Sequence, residues 1–471
     1  MTALTLTRQL DLQRPLDEVY AYLADFSSIE QWDPGVFTAD KVTPGPVHAG
    51  TEFALTLNVL GNAVPMQYRM ERLDAIRGGR AELVLSGIGK DFSALDTLTL
   101  TALDAGRTRL DYCAELTLAP VPAILQPLLS WWGKRLGDAA MGGLRAALEQ
   151  DGIETADVLA RLGESLVLPG MWQFTRRGYR GMRSRGLSRP MTGRKVGITG
   201  VTAGLGLATA QLLGRLGADL VLVGRGETRL ADARRAIEDF AGHPLRIECL
   251  EADLSSVTDS QRLADRLIAA HPDLDVWINN AGALFDSHAL TPEGHERALA
   301  VNLLTPALLA RRLGPGLAAR GGRLINVVSG GLYTQALRLD DMNFAHEPYN
   351  GPKAYARAKR ALLDLTRLWA REPGLAGAGW HAMHPGWAAT PGVASALPDF
   401  NRKLGERLRT PRMGCDTTVW LASHPLLANA AHSGSFWFDR RPRSDALLPG
   451  TATSAEDVSR LEAWVRRQIA C

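Results

Sequence analysis

The chain has little of what would mark it as secreted, metal-bound or membrane-spanning. Its 471 residues include four cysteines, Cys113, Cys249, Cys415 and Cys471. No two of them form a C-x-x-C pair, so neither a disulfide framework nor a zinc pattern is expected. No run of 18 or more apolar residues occurs, and so no segment is expected to span a bilayer. The N-terminus has no basic stretch leading into an apolar one, unlike a secretory signal, and the expected compartment is the cytoplasm. A net charge of +3 carries no general nucleic-acid signature. Acid is missing from Ser165 to Lys195, where eight Lys and Arg stand alone.

The length calls for two or three domains. Residues 1–150 are net acidic, 13 Lys/Arg against 18 Asp/Glu. Leu4, Leu6, Leu10 and Leu12 alternate as in a half-buried strand. A short helix follows Pro15, then a turn through Phe26–Val36. Strand-like runs lie at 51–60, 64–74, 81–87, 93–103 and 107–118, with turns at Gly78-Gly79 and Ala105-Gly106. A helical stretch from about 122 to 159 is expected to break near Gly133 and again at 152–154. This order, with Trp32-Asp33-Pro34-Gly35, resembles the START-like SRPBCC superfamily and its polyketide cyclase/dehydrase and lipid-transport members. The resemblance implies a helix-grip α+β domain over 1–160 that encloses an apolar cavity for a lipophilic molecule. Asp33, Glu52, Arg69 and Glu115 are candidate cavity residues, although solvated strand positions account for them better. Trp131 and Trp132 fit a helix face packed on the sheet better than a cavity lip.

Residues 161–192 read as a basic connector. Within it, Trp172, Phe174 and Tyr179 alternate with arginines. Peripheral membrane contact through 171–189 is one reading. The favoured one docks the aromatics on a neighbouring domain and leaves the arginines in water. Nucleic-acid binding has no recognised module to support it.

From 193 to 471 strands and helices alternate. Strands are expected at 194–199, 219–224, 245–250, 274–279, 322–329, 379–384 and 435–438. Helices are expected at about 204–217, 226–241, 258–271, 291–318, 352–371 and 414–423. The pattern predicts an α/β doubly wound parallel sheet of Rossmann type. Thr199-Gly-Val-Thr-Ala-Gly-Leu-Gly206 sits at the first strand-to-helix junction. Gly200 permits the turn, Gly204 admits a pyrophosphate to the backbone, and Gly206 lets helix and strand approach, with Thr202 and Leu205 between them. Arg225 follows the second strand where an acid would bind a ribose diol. A basic residue there pairs with a 2′-phosphate, which favours NADP(H) over NAD(H). Asp253 and Leu254 follow the third strand, with Asp253 placed to accept from an adenine amino group. Asn280, Ala281 and Gly282 follow the fourth, small enough for close approach of adenosine. Asn302 stands mid-helix against its propensity. Ser329 ends the fifth strand outside any G-x-S-x-G elbow. Tyr355 and Lys359, at i and i+4, share a helix face. His381 and His384 lack further ligands for a metal site, and none is expected.

Taken in order, the glycine turn, Asn-Asn-Ala-Gly282, Asn302, Ser329, Tyr355-x-x-x-Lys359 and Pro385-Gly386 resemble the short-chain dehydrogenase/reductase family. Ser329-Gly-Gly331, Met383–Val393, Phe438–Pro442 and the Trp172–Tyr179 arm are similar to the group around dehydrogenase/reductase member 12. The resemblance implies carbonyl–alcohol interconversion. Tyr355 would be the acid/base, its phenol lowered by nearby cationic charge. Ser329 would hold the substrate oxygen, Lys359 the nicotinamide ribose, and Asn302 a water leading from Lys359 to solvent. Pro385, Gly386 and Thr390 would face the nicotinamide. It also implies pairing of subunits through the helices at 291–318 and 352–371, leaving a homo-oligomer open. Ser329 and Tyr355 are 26 residues apart, a wide interval that predicts an inserted loop over the site carrying Asp340, Asp341 and Glu347. A lipophilic small molecule is the expected partner. The alternative is a lipid-binding, transfer or sensor protein whose second domain binds cofactor without turnover.

Overall fold

A computed structural model describes residues 2–59, 62–90, 92–118, 126–149, 171–179, 189–428, 432–447 and 450–469. Much of the expected connector, the side chains of Trp131, Trp132 and Trp172, and Cys471 lie outside the described residues. The chain divides into two compact units, and residues 171–179 belong with the second.

The first unit is one antiparallel sheet with its helices. The strands are β1 (Thr2–Leu12), β2 (Val36–Lys41), β3 (Glu52–Val59), β4 (Asn62–Leu73), β5 (Arg80–Gly89), β6 (Phe92–Asp104) and β7 (Arg107–Leu118). Their spatial order is β1-β7-β6-β5-β4-β3-β2. Period-two patterning puts Leu83, Leu85, Leu98, Leu100 and Leu110 on the inner face, all fully buried. The helix Leu16–Ala24, the turn Ile29–Trp32 and the long helix Gln126–Glu149 complete the unit. Gly133 does not break the long helix as expected. It stands against Leu4 and Leu6 of β1, where a Cβ would come within 3.1 Å of a leucine methyl. Gly143 meets the chain even more closely, since a Cβ there would fall 2.0 Å from the Trp32 carbonyl oxygen. Both glycines serve close packing, which offsets their low helix propensity.

The second unit contains β8 (Lys195–Thr199), β9 (Asp219–Gly224), β10 (Ile247–Glu251), β11 (Val276–Asn279), β12 (Arg323–Val327), β13 (Gly379–Met383), β14 (Ser435–Phe438) and β15 (Arg441–Pro442). The order is β10-β9-β8-β11-β12-β13-β14-β15. All neighbours are parallel except the last pair. Strand order reverses between β8 and β11, which opens a crevice at their carboxyl ends. Strands such as Leu220-Val-Leu-Val223 are apolar on both faces because helices cover both sides.

Two long helical segments depart from expectation. The helix expected from 291 starts at Arg297, because Glu296 caps it by accepting from the Ala298 and Leu299 amides at 2.8 and 2.7 Å. It then passes through a π-turn at Ala300–Leu304 before continuing as Thr305–Ala319. A C-terminal helix, Ala455–Ile469, was not foreseen, although Leu461, Val465 and Ile469 form a buried i, i+4, i+8 stripe. It lies on the helices Thr305–Ala319 and Gly351–Trp369. Trp369 donates to Glu462 at 3.1 Å, Arg311 bonds Glu372 at 2.5 Å and reaches Glu462 at 3.4 Å, and Gln261 donates to the Ile469 carbonyl at 3.0 Å. Among the described residues no helix is long and apolar enough to cross a membrane.

Candidate active site

A cavity of about 810 Å³ opens at the reversal between β8 and β11. Gly200 has φ +73, and a Cβ there would stand 2.8 Å from Ala281 Cα. At Gly206 a Cβ would strike the Gly200 carbonyl oxygen at 2.0 Å. The helix Gly204–Arg215 therefore starts hard against the turn. Its N-cap, Ala203, offers no side-chain hydrogen bond, so the first amides of the helix are left for an anion. Asn280 ties the neighbouring strands, donating to the Thr199 and Gly200 carbonyls at 2.9 and 3.2 Å.

Thr202, Gly204, Leu205, Arg225, Asp253, Leu254, Ala281 and Gly282 all line this cavity, as do Ser329, Tyr355, Lys359, Pro385, Gly386 and Thr390. Some of these groups have prior engagements. Asp253 accepts from the Ser255 amide and hydroxyl through one oxygen, at 3.0 and 2.8 Å, which leaves its other oxygen for an adenine. Thr390 caps a short helix by accepting from Val393 at 3.2 Å. Arg229, which the sequence reading passed over, lines the same end as the exposed Arg225. It lies four residues on, in the first turn of the helix Glu227–Ala241 that follows Arg225.

Asn302 is the exception. It is fully buried in the π-turn and is not on the cavity wall. Its amide donates to the Ala283 and Ala298 carbonyls at 2.7 and 2.8 Å and accepts from the Ala283 amide at 3.2 Å. The side chain is thus committed to backbone and pins the segment that follows Gly282. The π-turn explains how an asparagine is accommodated inside a helix.

Despite the wide interval, the Ser329 hydroxyl is near enough to the Tyr355 phenol to act on its ionisation. Lys359 donates to the Val327 carbonyl at 2.9 Å, and its ammonium is 5.8 Å from the centre of the Tyr355 ring. Burial pushes Lys359 down to about 7 and Tyr355 up to about 12, with Ser329 pulling the phenol partly back. The chain's own groups therefore do not deliver the lowered phenol expected from sequence, because desolvation acts against charge on both partners. The expected lid is also absent from the cavity wall, since no residue from 332 to 351 lines it. Asp341 is spent on the amides of Ala345, His346 and Glu347, and Asp340 pairs with Arg338. Glu347 pairs with Lys353 at 2.6 Å and with Arg357. Phe344 and Tyr349 of this loop pack at 5.4 Å, and Tyr349 donates to Glu296 at 3.0 Å.

The arm at 171–179 docks on the same end of the sheet. Phe174 packs edge-on against His384, Trp387 and Phe438 at 5.0–5.6 Å. The buried Arg409 holds Asp439 with both nitrogens, at 2.5 and 2.7 Å, and donates to the Gln173 and Thr175 carbonyls at 2.6 and 3.3 Å. His381 and His384 are both buried with their pKa pushed down, mainly by burial. His381 bonds the Leu427 carbonyl and Trp437, whereas His384 accepts from the Gly386 amide and stacks on Phe438.

This fold and site define a dinucleotide-binding α/β oxidoreductase. The sequence comparisons narrow the class. Residues 200–419 match the family described as "Enoyl-(Acyl carrier protein) reductase", and residues 1–149 match "Polyketide cyclase / dehydrase and lipid transport". The chain is 35% identical over 291 residues to "Dehydrogenase/reductase SDR family member 12" of Homo sapiens, covering 61% of this chain and 90% of that protein. It is 31% identical to "Retinol dehydrogenase 14" of Mus musculus, over 62% of this chain and 91% of that one. "Polyprenol dehydrogenase" of Mus musculus is 32% identical, over 58% and 82% respectively. The chain belongs to the short-chain dehydrogenase/reductase family of oxidoreductases, joined to an N-terminal domain of the SRPBCC type. Membership implies a nicotinamide cofactor, and the uncapped helix and glycine-lined crevice fit one.

Proposed function

We propose that the second unit interconverts a carbonyl and an alcohol on a lipophilic substrate, with NADP(H) preferred over NAD(H), and that the first unit holds ligands of the same lipophilic class. The observation that carries this reading is the convergence of Ser329, Tyr355 and Lys359 on one cavity with the glycine turn and two arginines. Bound cofactor supplies or accepts the hydride. In the direction of reduction, the Tyr355 phenol donates its proton to the substrate oxygen, and in oxidation it takes that proton back. The Ser329 hydroxyl, which lines the same cavity, holds the same oxygen and stabilises charge building on it. Lys359, fixed on the Val327 carbonyl, keeps a positive end beside the phenol ring when protonated and so favours its ionised form. Arg225 and Arg229, which line the cavity, would pair with a 2′-phosphate.

Two features support a lipophilic substrate. Trp387, Val393, Leu397, Phe400 and Phe285 make one part of the cavity apolar, and two relatives are named for retinol and polyprenol. Phe174 and Tyr179 are half-buried and engaged with the second unit. This reading does not call on membrane contact through 171–189, a span whose residues 180–188 lie outside those described.

The test is a titration of the full chain with NADPH and NADH by nicotinamide fluorescence, then turnover of lipophilic ketones and aldehydes by wild type and Tyr355→Phe. NADPH should bind at least tenfold more tightly than NADH. Tyr355→Phe should keep that affinity and lose turnover by at least a hundredfold. Failure of both dinucleotides to bind would refute the reading.

A further inference from the structure

The inner face of the first unit carries a polar group that the sequence reading missed. Asp96 of β6 is 2% exposed and lies in one row with Ala94, Leu98 and Leu100. Tyr112 of β7 donates to its carboxylate at 2.6 Å, and the phenol of Tyr68 of β4 is near enough to hold the carboxyl down as well. Tyr68 reaches Asp96 across the whole width of β5. It does so because β5 has Gly87 in its path, where a Cβ would stand 2.6 Å from the Tyr68 ring. A glycine inside a strand marks such a close approach. Of the four sequence candidates here, Glu52, Arg69 and Glu115 are exposed, whereas Asp33 is near enough to act on both phenols.

Packing does not account for this group. The core around it is made of leucines and aromatic rings, with Phe26 5.1 Å from the Tyr68 ring and Phe53 behind Phe26 at 6.1 Å. A carboxyl and two phenols buried among them carry a desolvation cost that an apolar trio of similar volume would avoid. No Lys, Arg or His is among the described groups acting on Asp96, and burial pushes its carboxyl up. The three groups also keep unused capacity. A carboxyl offers about four acceptor positions, and each phenol that has donated its proton still accepts. Tyr112 is only half-buried, so the cluster lies at the margin of the core.

We propose that Asp96, Tyr68 and Tyr112 form the polar end of a ligand site in the first unit, taking the carbonyl or hydroxyl oxygen of an otherwise apolar molecule. A ligand hydroxyl donates to Asp96 or to a phenol oxygen, and a ligand carbonyl accepts from a phenol or from the protonated carboxyl. The same three groups thus serve both members of an alcohol–carbonyl couple. This deepens the proposed function and rests on its assignment of apolar ligands to the first unit.

The test uses full-length protein and equilibrium dialysis with 2-naphthol and naphthalene, which differ by one hydroxyl. Wild type should bind 2-naphthol at least tenfold more tightly. Tyr68→Phe and Tyr112→Phe, which keep ring packing, should each weaken 2-naphthol three- to tenfold and leave naphthalene within twofold. Asp96→Asn should remove most of the preference. Circular dichroism and NADPH titration check that each variant is folded. Equal binding of the two probes by wild type, or folded Phe variants that retain the full preference, would overturn this site while leaving an apolar-ligand unit standing. Binding of neither probe would overturn the site together with the reading beneath it.

Discussion

Arg409 offers the sharpest test of how the cofactor end of the second unit is held. It is 1% exposed and its partner Asp439 3%. Besides that two-pronged pair, it bonds the carbonyls of Gln173, Thr175 and, at 3.5 Å, Pro385. It thereby joins the arm to the turn that carries Pro385 and Gly386. Arg409→Met keeps the stem but strands Asp439 as a buried unpaired charge, at a cost of about 3–5 kcal/mol. For a unit of this size that lowers Tm by roughly 6–10 °C, at about 2 °C per kcal/mol. A second substitution, Asp439→Asn, removes the stranded charge and suits the left-handed backbone at that position, φ +52. The double variant should recover most of the lost Tm. It should not recover NADPH affinity, because the arm carbonyls and Pro385 stay untied, and we expect at least a tenfold loss, or about 1.4 kcal/mol. Melting curves and nicotinamide fluorescence on the single and double variants decide the matter. If NADPH binds every variant as it binds wild type, Arg409 is structural only and the positioning argument is wrong.

Three further outcomes follow from the geometry. Burial takes Lys359 from 10.5 to about 7, so between those values the unfolded chain carries a proton that the folded chain lacks. Stability should rise with pH across that window, and the rise, up to about 5 kcal/mol, should vanish from denaturant melts of Lys359→Met. Arg225→Ala combined with Arg229→Ala should weaken NADPH at least tenfold and leave NADH within threefold; equal losses for the two would show that neither arginine reads the 2′-phosphate. Gly143→Ala should destabilise the first unit by about 1–3 kcal/mol or more, since its Cβ would meet a carbonyl oxygen at 2.0 Å, and calorimetry should show that transition falling while the second unit's stays in place.

The parts of the site that could be read in advance share one property. Each is a short motif at the end of its own strand or on one helix face, so chain order alone places it. The glycine turn, Asn280–Gly282 and the Tyr355–Lys359 pair are of this kind, and a parallel sheet carries strand ends to one crevice without further information. Other features depend on register across strands or on distant segments. Tyr68, Asp96 and Tyr112 come from three strands, and nothing local links them until Gly87 is seen beneath the Tyr68 ring. Arg409 meets Gln173 across 236 positions of chain. Asp340, Asp341 and Glu347 looked like lid acids, but loop amides, Arg338 and the start of the following helix consume them. Gly133 looked like a break, because low propensity is visible in sequence and the strand packed against it is not.

The C-terminal helix has a consequence for self-association. Leu461, Val465 and Ile469 cover the two long helices through which subunits were expected to pair, and Glu462 secures them to Trp369 and Arg311. On that side the outward face belongs to the C-terminal helix, with Glu456, Arg460 and Arg467 exposed on it. A copy of the protein that approaches the two long helices from there meets a charged surface in place of their apolar sides.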